Sequence, residues 1–99
     1  MSKIVMFISF KLVKGVSAAD FLKAGERLNH EFMSKQKGYL SWQQLRDDET
    51  WVDLLTWETK EDAQNVDEAS CGNAIAHEYY SFIEMESIKT AFYSVEKSY

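Results

Sequence analysis

The sequence predicts one small α+β domain, and three observations lead to this class. Strand-like runs alternate with helix-like periodicities along 99 residues, without an internal repeat or a low-complexity tract. The composition is 45% hydrophobic and 27% charged, which is typical of a folded globular chain. A chain of this length can bury one core but not two. We therefore expect residues 1–99 to form a single domain.

The first third of the chain predicts a strand followed by a helix. Residues 3–12 are β-branched and aromatic, and both alternating sets of side chains are apolar, which indicates a strand that is covered on both faces. Ser17 and Asp20 have the spacing of a capping box, and apolar residues then recur at helical intervals over residues 18–36. Gly25 lies within this apolar stripe, where a helix can approach a sheet closely.

The middle of the chain predicts a hairpin. Residues 39–46 and 50–58 form two strand-like runs on either side of an acidic turn at residues 47–49. The first run alternates in polarity like an edge strand, whereas the second is apolar on both faces except at Asp53. The second run is therefore predicted as a central strand.

The last third predicts two helical segments and a final strand. Thr59 and Asp62 form another capping box, which opens a helix that ends at Gly72. Residues 86–95 alternate as a strand. Between these elements, Asn73 is expected to cap a second helical segment, whose apolar residues are Ile75, Tyr79, Phe82 and Ile83.

The resulting order, β-α-β-β-α-β, is that of a ferredoxin-like sandwich. Right-handed crossovers then place the first and third strands in the centre and the helices on one face. Because these two strands are apolar on both sides, the second face would expose more apolar area than soluble monomers usually do. We expect a homodimer with its sheets face to face. The alternative is a monomer with a modestly apolar open face.

Charge and motif content exclude several functions. A net charge of −5 would repel phosphate backbones and anionic lipid, so we expect no nucleic-acid or membrane partner. The longest apolar stretch, Ile4–Phe10, is too short to span a bilayer, and no signal peptide precedes it, which predicts a cytoplasmic protein. One cysteine and two separated histidines offer no metal cluster, and no phosphate-binding loop is present. We expect no metal and no cofactor.

Four stretches carry a family resemblance: FKLVKGVSAADFL, KGYLSWQQLRDDETWVDLLTW, WETKEDA and YYSFIE. They resemble the antibiotic-biosynthesis-monooxygenase-like group of the dimeric α+β-barrel superfamily. The resemblance implies a homodimer whose two sheets form a barrel, with a small pocket in each subunit between sheet and helices. It leaves the activity open, because that superfamily includes cofactor-free oxygenases, haem degraders and proteins with no assigned role.

Asp53 is the first predicted catalytic residue. A cofactor-free oxygenase needs a base, and a carboxylate buried in an apolar strand has a raised pKa. Such an enzyme also needs side chains that hold the substrate anion. The predicted substrate-binding residues are the aromatics Trp51, Trp57, Tyr39 and Tyr79, with a pocket expected beside Trp57. The alternative is that the aromatics belong to the core and that Lys89, Lys11 or the partner subunit neutralises Asp53.

His77 is the second predicted catalytic residue. Haem-degrading relatives place their axial histidine in this late helical region, although the helical pattern puts His77 off the apolar stripe, as a solvent-facing residue would be. The remainder of the haem pattern is missing. Ile8 or Ser9 stands where those relatives have Asn, and Val66 or Asp67 where they have Trp. These differences argue against haem degradation.

Two functions follow from the sequence. One is a cofactor-independent monooxygenase acting on a compact aromatic or polyketide-like small molecule, which the resemblance supports. The other is a non-catalytic small-molecule-binding or structural dimer, which the missing Asn/Trp/His set supports. The sequence does not decide whether the protein is an enzyme.

Overall fold

The computed structural model describes residues 2–99. None of the helices in this range is long and apolar enough to cross a membrane. A single turn of 3-10 helix at Met33–Lys35 follows the first helix. The main elements are β1 (Ile4–Leu12), α1 (Ala18–Glu31), β2 (Tyr39–Asp47), β3 (Thr50–Trp57), α2 (Lys60–Ser70), α3 (Ala74–Ser81) and β4 (Ile83–Ser94).

The strands form one antiparallel sheet in the order β2-β3-β1-β4. The two strands that are apolar on both sides, β1 and β3, lie in the centre, and β2 lies at an edge. The predicted ferredoxin-like α+β class is confirmed. The register places Ile8 of β1 between Asp53 of β3 and Thr90 of β4, so these three residues cross the middle of the sheet in one row.

Each α-helix begins at the capping residue that the sequence indicates. The side-chain oxygens of Ser17, Thr59 and Asn73 accept hydrogen bonds from main-chain N–H groups three residues further on. These bonds satisfy N–H groups that have no partner within the helix. The predicted starts of the three helices are confirmed.

Two predicted boundaries are wrong. The first helix ends at Glu31 rather than at residue 36, because Phe32 leaves the helical conformation with φ of −131°. The final strand begins at Ile83 rather than at residue 86, because α3 ends at Ser81 and only the capping residue Phe82 separates the two elements. Ile83 therefore belongs to the sheet, where it pairs with Leu12, and not to the helical segment.

The helices cover one face of the sheet and enclose an aromatic core. Phe21 of α1 is fully buried at its centre. The Phe21 ring lies 5.1 Å from the ring of Trp51 and 4.9 Å from that of Tyr79, between centroids. Trp57 is also fully buried, and it pairs with Ile4, the first residue of β1. This packing holds α1 and α3 against the central strands.

The opposite face of the sheet carries the other set of side chains. Phe7 and Leu54 are paired neighbours at its centre, and both remain partly exposed. Tyr93 of β4 pairs with Val5 in the same layer and is 59% exposed. We refer to this surface, which also contains Val52 of β3, as the open face.

Candidate functional site

Strand β3 supplies the centre of the candidate site. Its alternation turns Trp51, Asp53, Leu55 and Trp57 toward the helices, and all four are buried. Asp53 is 4% exposed although it is a carboxylic acid in the middle of a sheet. It pairs with Ile8 on one side and with Gln44 of β2 on the other.

A chain of hydrogen bonds holds the Asp53 carboxylate. The hydroxyl of Tyr79, on α3, donates to Asp53 Oδ2 over 2.7 Å. The side-chain amide of Gln44 donates to the Tyr79 hydroxyl oxygen over 3.3 Å. The expectation of a close approach at Gly25 is also met, since a Cβ there would lie 2.8 Å from Gln44 Nε2. Because Gly25 has no side chain, this turn of α1 leaves room for the Gln44 amide.

Among residues 2–99, no cation forms an ion pair with Asp53. The ion pairs among the described residues join Arg27 to Glu31 and to Glu78, and neither involves Asp53. The expectation that Lys89 or Lys11 neutralises this carboxylate is wrong. Lys89 pairs with Ser9, one residue out of the row of Asp53, so strand alternation directs it to the other face of the sheet.

The pKa of Asp53 is raised to about 6, chiefly because burial disfavours the charged carboxylate. The hydrogen bond from Tyr79 lowers this pKa in part. The indole of Trp42 on β2 also faces the carboxylate and lowers its pKa, although its N–H falls short of hydrogen-bonding geometry. A carboxylic acid that titrates near neutral pH is suited to general acid–base chemistry.

One oxygen of this carboxylate and a nearby indole nitrogen lack hydrogen-bond partners. Asp53 Oδ1 and Trp42 Nε1 are both buried without a hydrogen bond. Both side chains line a cavity of about 30 Å³ between the sheet and the helices. A volume of this size holds about two water-sized groups. The rest of its wall is mainly apolar and includes Leu28, Phe32, Met33, Leu55, Val66 and Ala76.

A wider cleft of about 260 Å³ lies beside this inner cavity. The inner cavity and the outer cleft share Asp53 and Tyr80 in their walls, and the far wall of the cleft comes from β4. Burial, together with the nearby charges of Asp67 and Asp53, raises the pKa of Tyr80 to about 12. Tyr80 therefore remains a neutral hydroxyl group at the boundary between the two spaces.

The structure brings together only two of the predicted site residues, Asp53 and Tyr79. Trp51 and Trp57 lie on the same side of β3, but they pack into the core and line neither the inner cavity nor the outer cleft. The cavity lies beside Asp53 and not beside Trp57. The hydroxyl of Tyr39 donates to Asn29 of α1, away from the carboxylate.

His77 lies apart from Asp53. It is exposed on α3, and its Nε2 atom lies 2.6 Å from the main-chain carbonyl oxygen of Cys71. His77 lines neither the inner cavity nor the outer cleft. Over residues 2–99, no three His, Cys, Asp or Glu side chains are grouped to hold a metal ion.

The sequence analysis did not identify two polar side chains near Asp53, namely Trp42 and Gln44. The hairpin register would have pointed to Gln44, which faces Asp53 across the two strands. Trp42 lies two residues away on the same side of β2, as the period of a strand requires.

The chain is similar to known proteins in structure but not in sequence. No protein-family profile matches the sequence, and no curated protein matches it. Solved structures do match over nearly the full length, and they show that the chain has the fold of antibiotic-biosynthesis-monooxygenase-like proteins. The predicted resemblance is confirmed at the level of the fold.

Three solved structures illustrate this likeness. SnoaB, a cofactor-independent oxygenase from Streptomyces nogalater, aligns over 99% of this chain and 97% of its own, with 13% identity and a TM-score of 0.78. A Nitrosomonas europaea protein provisionally named as an antibiotic biosynthesis monooxygenase aligns over 96% and 91%, with 19% identity and a TM-score of 0.71. A heme-degrading protein from Mycobacterium tuberculosis aligns over 99% and 96%, with 18% identity and a TM-score of 0.66.

Proposed function

We propose that this protein is a cofactor-independent oxygenase that acts on a compact aromatic small molecule, with Asp53 as its general base. The observation that carries the proposal is a buried carboxylate without a cation, at the wall of a cavity. Burying such a group destabilises a fold unless it is fully hydrogen-bonded. Asp53 keeps one oxygen without a partner, so its retention in the core is best explained by chemistry.

The proposed reaction draws its electrons from the substrate. Asp53 takes a proton from an activated CH₂ group, and the resulting carbanion transfers electrons to O₂. A carbon–oxygen bond then forms, and protonated Asp53 returns its proton to the peroxide anion to give a hydroperoxide. Loss of water from the hydroperoxide converts CH₂ and O₂ into C=O and H₂O, with no external reductant. A base with a pKa near 6 is largely ionised at neutral pH and can therefore accept the first proton.

The neighbours of Asp53 support this role. Tyr79 holds Oδ2, which leaves Oδ1 facing the cavity. Tyr80 stays protonated and can donate a hydrogen bond to an oxyanion that forms at the shared wall. The structural likeness to SnoaB, which is a cofactor-independent oxygenase, is consistent with this chemistry.

We further propose that the protein is a homodimer through its open face. The partly exposed Phe7 and Leu54 at the centre of that face support the proposal. Residues of the candidate site lie on the other face, so a partner would close the sheet without entering the cavity.

A non-catalytic small-molecule-binding or structural dimer is the second candidate. The observation that favours it is the position of four predicted site residues, Trp51, Trp57, Tyr39 and His77, outside the cavity and the cleft. This candidate requires no base, and it therefore predicts no turnover by wild type or by any variant of Asp53.

Asp53→Asn tests the proposed function, because it removes the base and keeps the shape. Oxygen uptake with anthrone as the probe substrate should fall by about 100-fold or more, in line with the loss of a general base. Asp62→Asn is the matched control, since Asp62 is the other buried carboxylic acid and lines neither the cavity nor the cleft. Equal uptake by wild type and Asp53→Asn would show that Asp53 is not the base, and no uptake by either protein would favour the non-catalytic candidate.

A further inference from the structure

The hydrogen bonds that end at the Asp53 carboxylate run in one direction. A tyrosine hydroxyl carries a single proton, and a carboxylate oxygen only accepts. Because the Tyr79 hydroxyl lies 2.7 Å from Asp53 Oδ2, its proton is given to that oxygen. The Tyr79 oxygen is then left as an acceptor, so Gln44 must turn its amide nitrogen toward it, as it does over 3.3 Å. The order of donation is Gln44 to Tyr79 to Asp53.

Helix α1 supports the Gln44 end of this chain of bonds. The amide lies against the bare backbone of Gly25, where a Cβ would be 2.8 Å from Gln44 Nε2 and 3.0 Å from Oε1. Gln44 itself occupies the position of β2 that pairs with Asp53. Three elements thus converge on one carboxyl group, with Gly25 on α1, Gln44 on β2 and Tyr79 on α3.

This direction makes the two oxygens of Asp53 different. Oδ2 accepts from Tyr79, whereas Oδ1 has no hydrogen bond, and the Asp53 side chain lines the inner cavity. An N–H contact from the nearby Trp42 indole would occupy only one of the two lone pairs of Oδ1. Oδ1 therefore keeps a free lone pair at which a proton can bind.

The place of a proton on Asp53 follows from the same chain. A proton on Oδ1 leaves every bond of the chain as it is. A proton on Oδ2 would face the Tyr79 O–H, so Tyr79 would have to donate to Gln44 instead, with the amide rotated by half a turn. Because unmade hydrogen bonds are costly in a buried site, the form that needs no rearrangement is favoured.

We propose that Gln44 and Tyr79 are positioning residues, which hold Oδ2 of Asp53 as an acceptor and reserve Oδ1 for the proton that the reaction removes and returns. The reaction in this statement rests on the proposed function, whereas the place of the proton is a property of the protein without substrate. The proposal also accounts for an amide at position 44. An ionised glutamate there would accept the Tyr79 proton and reverse the chain.

The other titratable groups that face Asp53 come from two helices. Among the described residues that line the inner cavity, α3 contributes Tyr79 and Tyr80, and α2 contributes Asp67. α1 and the neighbouring strands contribute no charged residue to this wall apart from Asp53 itself. Raised pKa values keep both tyrosines protonated, and burial also raises the pKa of Asp67. Asp67 is retained in every variant, so differences between variants report on Asp53.

Infrared spectroscopy without substrate tests where the proton lies. At about pH 5, below the pKa of about 6, Asp53 is mostly protonated. The difference spectrum between a protein and the same protein with Asp53→Asn isolates the Asp53 C=O stretch. If Oδ2 is the carbonyl oxygen that accepts from Tyr79, Tyr79→Phe should move this stretch to higher frequency, because the bond is lost. Phenylalanine keeps the ring that stacks on Phe21, so the variant should fold.

Variants at position 44 test whether Gln44 acts through Tyr79. Gln44→Glu should turn the Tyr79 hydroxyl away and move the stretch about as far as Tyr79→Phe does. Gln44→Met removes the donor without adding an acceptor, so it should move the stretch less. Gln43→Glu is the matched control, because Gln43 is exposed and pairs with Leu54 on the open face. It should leave the stretch unchanged.

The pH dependence of Asp53 gives a second readout. By nuclear magnetic resonance of the carboxyl carbon, Tyr79→Phe should raise the pKa of Asp53 by about 1 pH unit or more. Gln44→Met should raise it by about 0.3 pH units, and by nothing further when Tyr79→Phe is already present. The acid limb of kcat/KM for oxygen uptake with anthrone should move by the same amounts.

The outcomes separate this proposal from the proposed function. A stretch that Tyr79→Phe leaves in place or lowers would put the proton on Oδ2 and overturn the proposal. An effect of Gln44→Met that persists in the Tyr79→Phe background would show that Gln44 does not act through Tyr79, and would overturn its role. The expected infrared shifts without oxygen uptake by any of the proteins would remove the oxygenase activity and leave the place of the proton standing.

Discussion

The two faces of the sheet use the same strands for different purposes. On the helix-covered face, β3 places Asp53 among buried aromatic rings, and burial raises the pKa of its carboxyl group to about 6. On the open face, the neighbouring Val52 and Leu54 are apolar and only partly buried. Enclosure turns an ordinary carboxylic acid into a candidate base, whereas the open face presents mainly apolar side chains at its centre. The proposed base and the proposed dimer contact thus lie on opposite sides of a single layer of backbone.

The largest expected effect is a change of oligomeric state, caused by placing a charge on the open face. Light scattering of wild type at micromolar concentration should give about twice the chain mass of 11.5 kDa, as a two-fold dimer requires. Leu54→Asp should give a monomer, because the interface would then bury an unpaired carboxylate. Leu22→Asp is the control, since Leu22 is an exposed leucine of α1 on the other side of the molecule. A monomeric wild type, or a dimeric Leu54→Asp, would contradict the proposed use of this face.

A smaller effect is expected from Asp53→Asn on stability. The folded pKa of about 6 exceeds the ordinary 3.8, so the folded state holds the proton more tightly. The contribution of Asp53 to the free energy of unfolding therefore falls as pH rises from about 3.8 to about 6, by about 3 kcal/mol in all, and stays low above that range. Asp53→Asn should be more stable than wild type at neutral pH and should lack this fall.

Urea unfolding at a series of pH values measures this difference between the two proteins. The other titratable groups that face the carboxylate are Tyr79, Tyr80 and Asp67. The raised pKa values of both tyrosines keep them protonated throughout the range. Tyr79→Phe provides the control, because it retains the carboxylate and removes its hydrogen bond, and its pH-dependent fall should persist. Parallel curves for wild type and Asp53→Asn would show that burial does not perturb Asp53.

The smallest expected effect is that of Gly25→Ala on the free energy of unfolding. Alanine favours a helix over glycine by about 1 kcal/mol, but its Cβ would displace the Gln44 amide. We expect a net change of less than about 1 kcal/mol in the free energy of unfolding.

The Gly25→Ala substitution should also change the pKa of Asp53. Without Gln44 as a donor, the Tyr79 hydroxyl donates less strongly to the carboxylate, and the pKa of Asp53 should rise. Nuclear magnetic resonance titration of the carboxyl carbon measures that pKa, and Gly72→Ala, which introduces a Cβ into open space, should leave it unchanged.

Much of the fold could be predicted because local patterns and topology agree. The three capping residues mark their helices, and the doubly apolar strands are those that the topology places in the centre. Asp53 was identifiable as the one polar interruption of a central strand. Its partner was not, because Tyr79 lies 26 residues further along the chain and reaches the carboxylate only through the docking of α3.

The edge strand shows a second limit of sequence reasoning. A register shift between Tyr39 and Ser41 interrupts the pairing of β2 with β3. An irregularity of this kind changes which side chains face the helices, and the amino-acid pattern of β2 does not mark its position. Leu40, at the shift, is 39% exposed, whereas Trp42 faces the cavity.

The pairing register of β3 also bears on how this gene can change. Because adjacent residues of the strand point to opposite sides, loss or gain of one codon between Trp51 and Trp57 would carry Asp53 or its neighbours to the wrong surface. Such an indel would remove the candidate base and the apolar contact layer together. A substitution at one position of the strand changes one face of the sheet and leaves the other face unchanged. Point mutations could therefore change the candidate site and the open face independently, whereas insertions and deletions should be tolerated only at places such as the turn at residues 47–49.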